Sequence, residues 1–438
     1  MSTPYTAPLK GNYTLKNVLL ETGFVSDERG IKATKTELFC IEVNAGKITK
    51  IFPNDPKLAT AVDAKGYLML PAFSDMHVHL DKTLYGLPWQ AQSPKKRTVL
   101  EMIAYEQEII PELLQTSTTR AEQLIDLLQS YGTTFARTHF NVDTTSGLRS
   151  LENLQKALSS RKESFKAELV AFPQHGFFYT DSAPLMKDVA QMDQVAYIGG
   201  VDPYGIDKNI EKVLDYTVKL ALDNNKGIDI HLHDGGKEGI HTIDYLAEQA
   251  LQNPKLQGRT FVSHAFVLAQ LPLAEVERIA EKLAAAKVGI VSSIPFGDLV
   301  MPIPTLLKQG VEVLVGNDNV QDYWSTFGPG NMLAKANLMA EIYGWRSEFD
   351  LSRTLRFATH NSLPLDDKGN MQWPKANDGA EFVLIDASCS AEAVSRVSPT
   401  MALAHEGALH WKKYPPTLYH EKQKGWVFLT PSLFTKYT

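Results

Sequence analysis

Two histidines set one residue apart, His77 and His79 in "SDMHVHLDKT", follow a run of apolar residues. Alternate side chains of a β-strand face the same side, so both imidazoles can be presented to one point. Other apolar runs also end on polar groups: His139 after "TTFART", Gln174 after "AELVAFP", Asp202 after "VAYIGGV", His231 and His233 in "GIDIHLHD", His264 in "TFVSHA", Ser292 and Ser293 in "VGIVSS", and Asp318 in "VEVLVGND". Six of the chain's 12 histidines stand at such ends. A single buried histidine is ordinarily a satisfied core residue, but this joint pattern asks for another reason. Three neutral imidazoles, His77, His79 and His231, with the carboxylate of Asp318 make a donor set suited to one catalytic divalent ion, zinc or iron alike. Such an ion would lower the pKa of its water from about 15.7 towards roughly 7 and so provide hydroxide at neutral pH.

These residues must be positioned by elements that repeat. Eight apolar runs alternate with amphipathic segments, which predicts βα units around a parallel sheet, and eight units suit a (β/α)8 TIM-type barrel whose chemistry lies at the C-terminal ends of its strands. Within "TRAEQLIDLLQSYG", Thr119 and Glu122 stand in capping-box register ahead of Leu124, Ile125, Leu127 and Leu128, with Gly132 as the stop. In "AEVERIAEKLAAA", Val276, Ile279, Ala280 and Leu283 are spaced for one buried face. The two ends of the chain read differently. Short alternating segments broken by Gly, Asn and Asp fill residues 12–70, and "AEFVLIDA" and "TMALAHEGALHWKK" resume that character after residue 379. The expected organisation is therefore an α/β chain with a barrel over 71–379 and a discontinuous, small β-sandwich-like domain made from 1–70 and 380–438.

Bulk properties exclude several classes. With 44% hydrophobic and 21% charged residues the 438-residue chain has the balance of a globular enzyme. Its formal charge of -6 is spread without a long single-sign block, so no footprint for nucleic acid is visible. The densest basic run, "PKKR" at 94–97, reads as a solvated loop. Cys40 and Cys389 are too few for a disulfide framework, and no stretch has the length and apolarity of a membrane span or a signal peptide. A cytoplasmic enzyme acting on a small molecule, without nucleic-acid or membrane partners, is the expectation; association into homo-oligomers is left open.

The motifs "HVHLDKT", "VAFPQHG", "IDIHLHD", "VSHA" and "VGNDNVQDYW" resemble the amidohydrolase superfamily, specifically its cytosine deaminase-like branch, over residues from about 66 to about 340. "FATHNS" and "ANDGAEFVLIDA" are similar to that family's return into its small domain. The resemblance implies His77, His79, His231 and Asp318 as metal ligands and His264 beside the metal-bound water or the developing oxyanion. It implies Gln174 on the ring edge of a substrate and Trp324 as an aromatic wall. Two positions depart from cytosine deaminases: Asp234 replaces a proton-shuttling Glu, and Asn319 replaces a second Asp that contacts the base. With Lys82 and His233, this set looks more like the N-isopropylammelide amidohydrolase type.

The implied reaction is hydrolysis of a C–N bond, by deamination or dealkylamination of a pyrimidine, triazine or pterin-like ring, with Asp318 taking a proton from the nucleophilic water. His233, Asp234 and Lys82 compete to supply a proton to the leaving amine, the first two jointly favoured, and His139 is a support for the ligands or a substrate contact. Binuclear relatives need a carboxylated lysine after strand four, which "IGGVDP" lacks, so one ion is expected. A ring-opening cyclic amide hydrolase is the alternative activity, and a noncatalytic metal-binding barrel is the alternative from another class.

Overall fold

The computed structural model describes residues 4–91, 97–294 and 299–413, so Pro94–Lys96 of the basic run lie outside the described residues. Eight parallel strands form one sheet in chain order: β1 (Phe73–Val78), β2 (Thr133–Asn141), β3 (Lys166–Phe172), β4 (Val195–Val201), β5 (Gly227–Leu232), β6 (Thr260–His264), β7 (Val288–Ser292) and β8 (Val313–Val315). Each of the eight apolar runs supplies one strand. The sheet closes at the mouth, where Asp318 N–H donates to the His77 carbonyl at 2.6 Å and His79 N–H donates to the Asp318 carbonyl at 3.2 Å. The first run, "LMLPAFSDMHVH", serves two sheets. Leu68–Pro71 pairs antiparallel with Phe382–Ile385, Ala72 N–H still bonds Glu381, and from Phe73 the partners switch to Gly132 and Ala358 beside the barrel.

The second sheet has the order Ala408–Trp411, Thr400–His405, Phe382–Ile385, Leu68–Pro71, Tyr13–Asp27, Gly30–Asn44 and Lys47–Pro53, with Val62–Asp63 beside Tyr13–Asp27. Strands from both ends of the chain thus meet in one mixed sheet, and its inner face buries Leu15, Val18, Ile41, Phe382 and Leu409. Cys40 and Cys389 are buried free thiols.

Helices cover the barrel: α1 (Val99–Leu113), α2 (Ser117–Ser130), α3 (Arg149–Arg161), α4 (Ala183–Ala190), α5 (Ile210–Asp223), α6 (Gly236–Gln252), α7 (Leu273–Ala286), α8 (Ile303–Lys308) and α9 (Met332–Tyr343). The face read in α7, Val276, Ile279, Ala280 and Leu283, is buried; the Val, Ile and Leu side chains each contribute roughly 1.5–3 kcal/mol relative to exposure. The capping box differs from expectation. Helix α2 starts at Ser117, so Thr119 lies within it, and Glu122 instead accepts from the Ser160 hydroxyl at 2.6 Å. Tertiary contacts extend the start: the Arg120 guanidinium donates to the carbonyls of Thr83 and Leu113 at 2.6 and 2.8 Å, holding the first turn against the barrel. A capping box does form on α1, between Thr98 and Glu101. No described helix is long and apolar enough to cross a membrane.

Inside the barrel, Met76, Val170, Tyr197, Phe261, Val291 and Leu314 pack into one apolar cluster. Gly316 lies where β8 approaches β1, and a Cβ there would stand 2.4 Å from both the backbone N and O of His77. Gly316→Ala should therefore destabilise the fold by about 2 kcal/mol or more, as overpacking does, and displace His77. Thermal unfolding together with metal content per chain checks this; an unchanged melting temperature and full metal retention would contradict it.

Candidate metal centre

His77 is the penultimate residue of β1 and is fully buried, His79 stands just beyond that strand, His231 lies near the end of β5, and Asp318 follows β8. One donor atom from each of these four residues lies within 4.8 Å of every other. His77 Nε2 and His79 Nε2 are each 3.4 Å from Asp318 Oδ1, and His231 Nε2 is 3.3 Å from His79 Nε2. Among the described residues His77 Nε2 has no hydrogen-bond partner although it is buried. Burial, with the Lys82 ammonium adding to it, pushes the His79 imidazole down to about 3, and burial likewise holds His231 well below its ordinary value. Both rings are therefore neutral with a lone pair to offer, as a ligand must be. Burial alone would raise the Asp318 carboxyl, but the surrounding His264, His77 and His79 hold it well below the usual range. The neutral rings of His79 and His231 and the orphaned His77 Nε2 converge on an ionised carboxylate, an arrangement that fits a single divalent cation, and the donor set suits zinc and iron equally.

The candidate ligands are held from behind. His77 Nδ1 lies 3.0 Å from Ser263 Oγ, whose hydroxyl donates to Asp229 Oδ1 at 2.6 Å. Asp229 in turn receives Arg137 Nη1 at 3.2 Å, and that guanidinium lies over the rings of Tyr197 and Phe261 inside the barrel. This chain of contacts orients the His77 ring so that Nε2 faces the cluster. His139 and Asp229 also lie near His77 in a second potential donor group. Asp229 is already committed to Ser263 and Arg137, and His139, fully buried with its ring centroid 4.1 Å from that of His77, lies beneath the ligands.

His264 ends β6 with φ +69°, a left-handed conformation rare outside glycine, and its Nδ1 lies 3.3 Å from Ser293 Oγ. Its ring stacks on that of His233 at 4.7 Å. His233 Nδ1 lies 2.9 Å from Asp202 Oδ2. Burial would depress the His233 imidazole, but Asp202 overrides it and raises the group above its ordinary value. Asp234, by contrast, accepts the backbone N–H groups of Tyr204 and Gly205 at 3.1 and 3.0 Å and so anchors the loop after β4.

A second polar group adjoins the metal cluster. The Phe172 ring stacks on His231 at 4.1 Å, and Lys82 Nζ lies 5.7 Å from the Phe172 centroid and 5.8 Å from that of Trp324. Lys82 donates to Gln174 Oε1 and stands 3.7 Å from Glu106 Oε1, while His175 Nε2 lies 3.3 Å from Glu106 Oε2. Burial would raise Glu106, but Lys82 and His175 hold it below the usual carboxylate value. Asn319 donates to Asp322 Oδ2, whose other oxygen accepts the N–H groups of Trp324 and Ser325 at 2.8 and 2.9 Å. Asp81 accepts the Asn141 N–H at 2.9 Å, so its carboxylate secures β2 to the loop after β1.

Sequence reasoning singled out neither Glu106, Phe172 nor Asp322. Glu106 left one trace: Ile103, Glu106 and Ile110 share the buried face of α1, a carboxylate on an apolar stripe. The other two had no such signal, since an aromatic ending a strand and an aspartate in a turn are ordinary.

A model of the amidohydrolase family matches residues 104–364. An uncharacterized protein of Escherichia coli K12, YahJ, is 46% identical over 404 residues, 91% of this chain and 88% of that one. The N-isopropylammelide isopropyl amidohydrolase of Pseudomonas sp. strain ADP is 27% identical over 333 residues, 74% of this chain and 81% of that one. The crystal structure of N-isopropylammelide isopropylaminohydrolase from Burkholderia multivorans superposes with a TM-score of 0.77 at 26% identity, covering 91% of this chain and 98% of that one. With its His/Asp cluster at the mouth of an eight-stranded barrel, the chain belongs to the amidohydrolase family, in the cytosine deaminase-like branch, as a hydrolase of carbon–nitrogen bonds other than peptide bonds.

Proposed function

We propose that this chain hydrolyses the bond between a ring carbon and its amino or alkylamino substituent on a pyrimidine, triazine or pterin-like heterocycle. The convergence of His77, His79, His231 and Asp318 within 4.8 Å carries the reading, and the similar enzymes named for N-isopropylammelide support a ring substrate. A bound divalent cation supplies acidification of water at neutral pH. Asp318 accepts the proton released as water adds to the ring carbon. His264, held at Nδ1 by Ser293, faces the oxyanion side with Nε2 and stabilises the charge that develops there. His233 delivers a proton from Nε2 to the departing nitrogen, its Nδ1–H being fixed on Asp202. The C–N bond breaks, the amine leaves with that proton, and the ring carbon keeps the oxygen. Asp234 is spent on the backbone of Tyr204 and Gly205, and Lys82 on Gln174 and Glu106, so His233 is the better donor. The end of β4 carries Asp202 and no lysine, which favours one ion over two.

Exhaustive dialysis followed by elemental analysis should find one tightly held zinc or iron per chain, and His77→Ala should lose it; two retained ions would overturn the mononuclear site. Amine or ammonia release should be measured over a panel of amino- and alkylamino-substituted pyrimidines, triazines and pterins with zinc- and iron-loaded protein. Silence across the panel, with ring opening of a cyclic amide instead, would replace this reading.

On the substrate so found, His264→Ala and His233→Gln should each lower kcat on the order of 10²-fold or more. Asp234→Asn should cost far less, since its role is to hold a loop. Equal losses for His233→Gln and Asp234→Asn would return the proton donor to both residues.

A further inference from the structure

A lysine is an unexpected side chain on the inner face of a helix, because its amine must find partners there or go unsolvated. Helix α9 carries one. Lys335 lies on the buried face of that helix with Met332, Ala336 and Met339. Its Nζ donates to two consecutive backbone carbonyls, Ser293 at 2.5 Å and Ile294 at 2.9 Å. The carboxylates that favour its charge, Asp318 and Asp75, act across space rather than through a hydrogen bond, and burial still lowers the amine below its ordinary value. An apolar side chain of similar length would cover the same face without that desolvation cost. The amine is therefore there for the carbonyls.

Those carbonyls belong to the exit of β7, which ends at Ser292. The Ser293 hydroxyl oxygen lies 3.3 Å from His264 Nδ1, and among the described residues Ser293 is the hydrogen-bond partner of that ring. Helix α9 is in turn indexed on the strand that leads to Asp318. At its start Asn331 Oδ1 accepts the N–H groups of Leu333 and Ala334 at 3.0 and 3.2 Å. Asn317 Nδ2, which donates to Asp75 Oδ2 at 2.8 Å, also lies 3.3 Å from Met332 Sδ. Lys335 stands one turn beyond Met332 on the same face. A continuous path of contacts thus runs from the end of β8 through α9 to the exit of β7 and on to His264.

We propose, on the reading of His264 given above, that Lys335 is a positioning residue: by clamping the Ser293 and Ile294 carbonyls it holds the Ser293 hydroxyl against His264 Nδ1 and so keeps His264 Nε2 turned towards the developing oxyanion. Lys335 itself transfers nothing. Without the clamp the exit of β7 is free to move, the His264 ring gains other orientations, and its stack on His233 loosens with it. A displacement of about 1 Å at such a group can cost on the order of 10²-fold in rate.

The test reads the ring itself, by NMR of isotopically labelled histidine nitrogens in the zinc-loaded full chain without substrate. The signals that vanish in His264→Ala belong to that residue. In Lys335→Met, apolar and of similar length, they should shift or broaden while zinc content stays at the wild-type value. Ser293→Ala should move them too, and adding Lys335→Met to it should move them no further. Lys335→Gln, whose shorter amide reaches one carbonyl at most, takes its place if Lys335→Met does not fold, and is held to the same outcome. On a ring substrate, kcat should fall on the order of tenfold to 10²-fold with KM changed by less than about threefold, and the loss should disappear in a His264→Ala background. A folded, zinc-loaded Lys335 variant with unmoved His264 signals overturns the proposal, as does a loss of kcat that persists undiminished on top of His264→Ala. Moved signals in a protein that hydrolyses no ring would sink the hydrolytic reading and leave the clamp standing. Unmoved signals in a protein that does hydrolyse one would do the reverse.

Discussion

The centre depends on a short piece of backbone pairing. Where β8 meets β1, Asp318 N–H is bonded to the carbonyl of His77 and the Asp318 carbonyl to the N–H of His79. Three of the four donor residues are thus tied by their own main chain, and only His231 must be brought across the barrel. Asp318 pays a conformational cost for this position, with φ +61° in the left-handed region. Gly316, two residues earlier, lets β8 come close enough because any side chain would strike His77. Closure of the sheet and assembly of the ligands are consequently one event rather than two.

Burial then decides the protonation of the cluster. The imidazoles of His77, His79, His139, His231 and His264 lie with ring centroids 4–6 Å apart, where water cannot reach between them to screen like charges. Desolvation keeps His79, His231 and His264 neutral, and an ionised Asp318 supplies the negative charge that complements a cation. The opposite face of His77 shows how the strain of such an arrangement is contained. Its Nδ1 is tied through Ser263 and Asp229 to Arg137, whose positive charge is satisfied by two carboxylates and two aromatic faces inside the barrel. Removing one member of a buried pair of this kind costs about 3–5 kcal/mol, so the apolar interior and the ligand geometry are energetically linked.

What could be read from the sequence divides along the same line. His77, His79, His231 and Asp318 were legible because strand periodicity and the position of strand ends are local properties of the chain, and the family motifs lie on them. The eight strands were legible for the same reason. The supports were not: Ser263, Asp229 and Arg137 come from three different strands, and nothing local says that their side chains meet. The start of α2 was misread because Arg120 binds carbonyls at Thr83 and Leu113, a tertiary contact that outweighs the capping signal of Thr119 and Glu122. Glu106 was hidden by its helix, whose buried face has apolar residues on either side of it.

The two halves of the site are built from different parts of the fold. The metal half comes from the ends of β1, β5 and β8, where the sheet itself sets distances. The polar group beside it, the proposed substrate half, draws Lys82 from the loop after β1, Gln174 from the loop after β3, Glu106 from α1, and Asn319, Asp322 and Trp324 from the turn beyond β8. These loops vary without disturbing the barrel, which is how one scaffold can keep a reaction and change its substrates. Their rigidity must then come from side chains rather than from the sheet. That explains the buried charges found there, Lys82 against Glu106 and Asp322 against backbone amides: desolvating them is costly, and what offsets the cost is a fixed arrangement of the loop side chains around them.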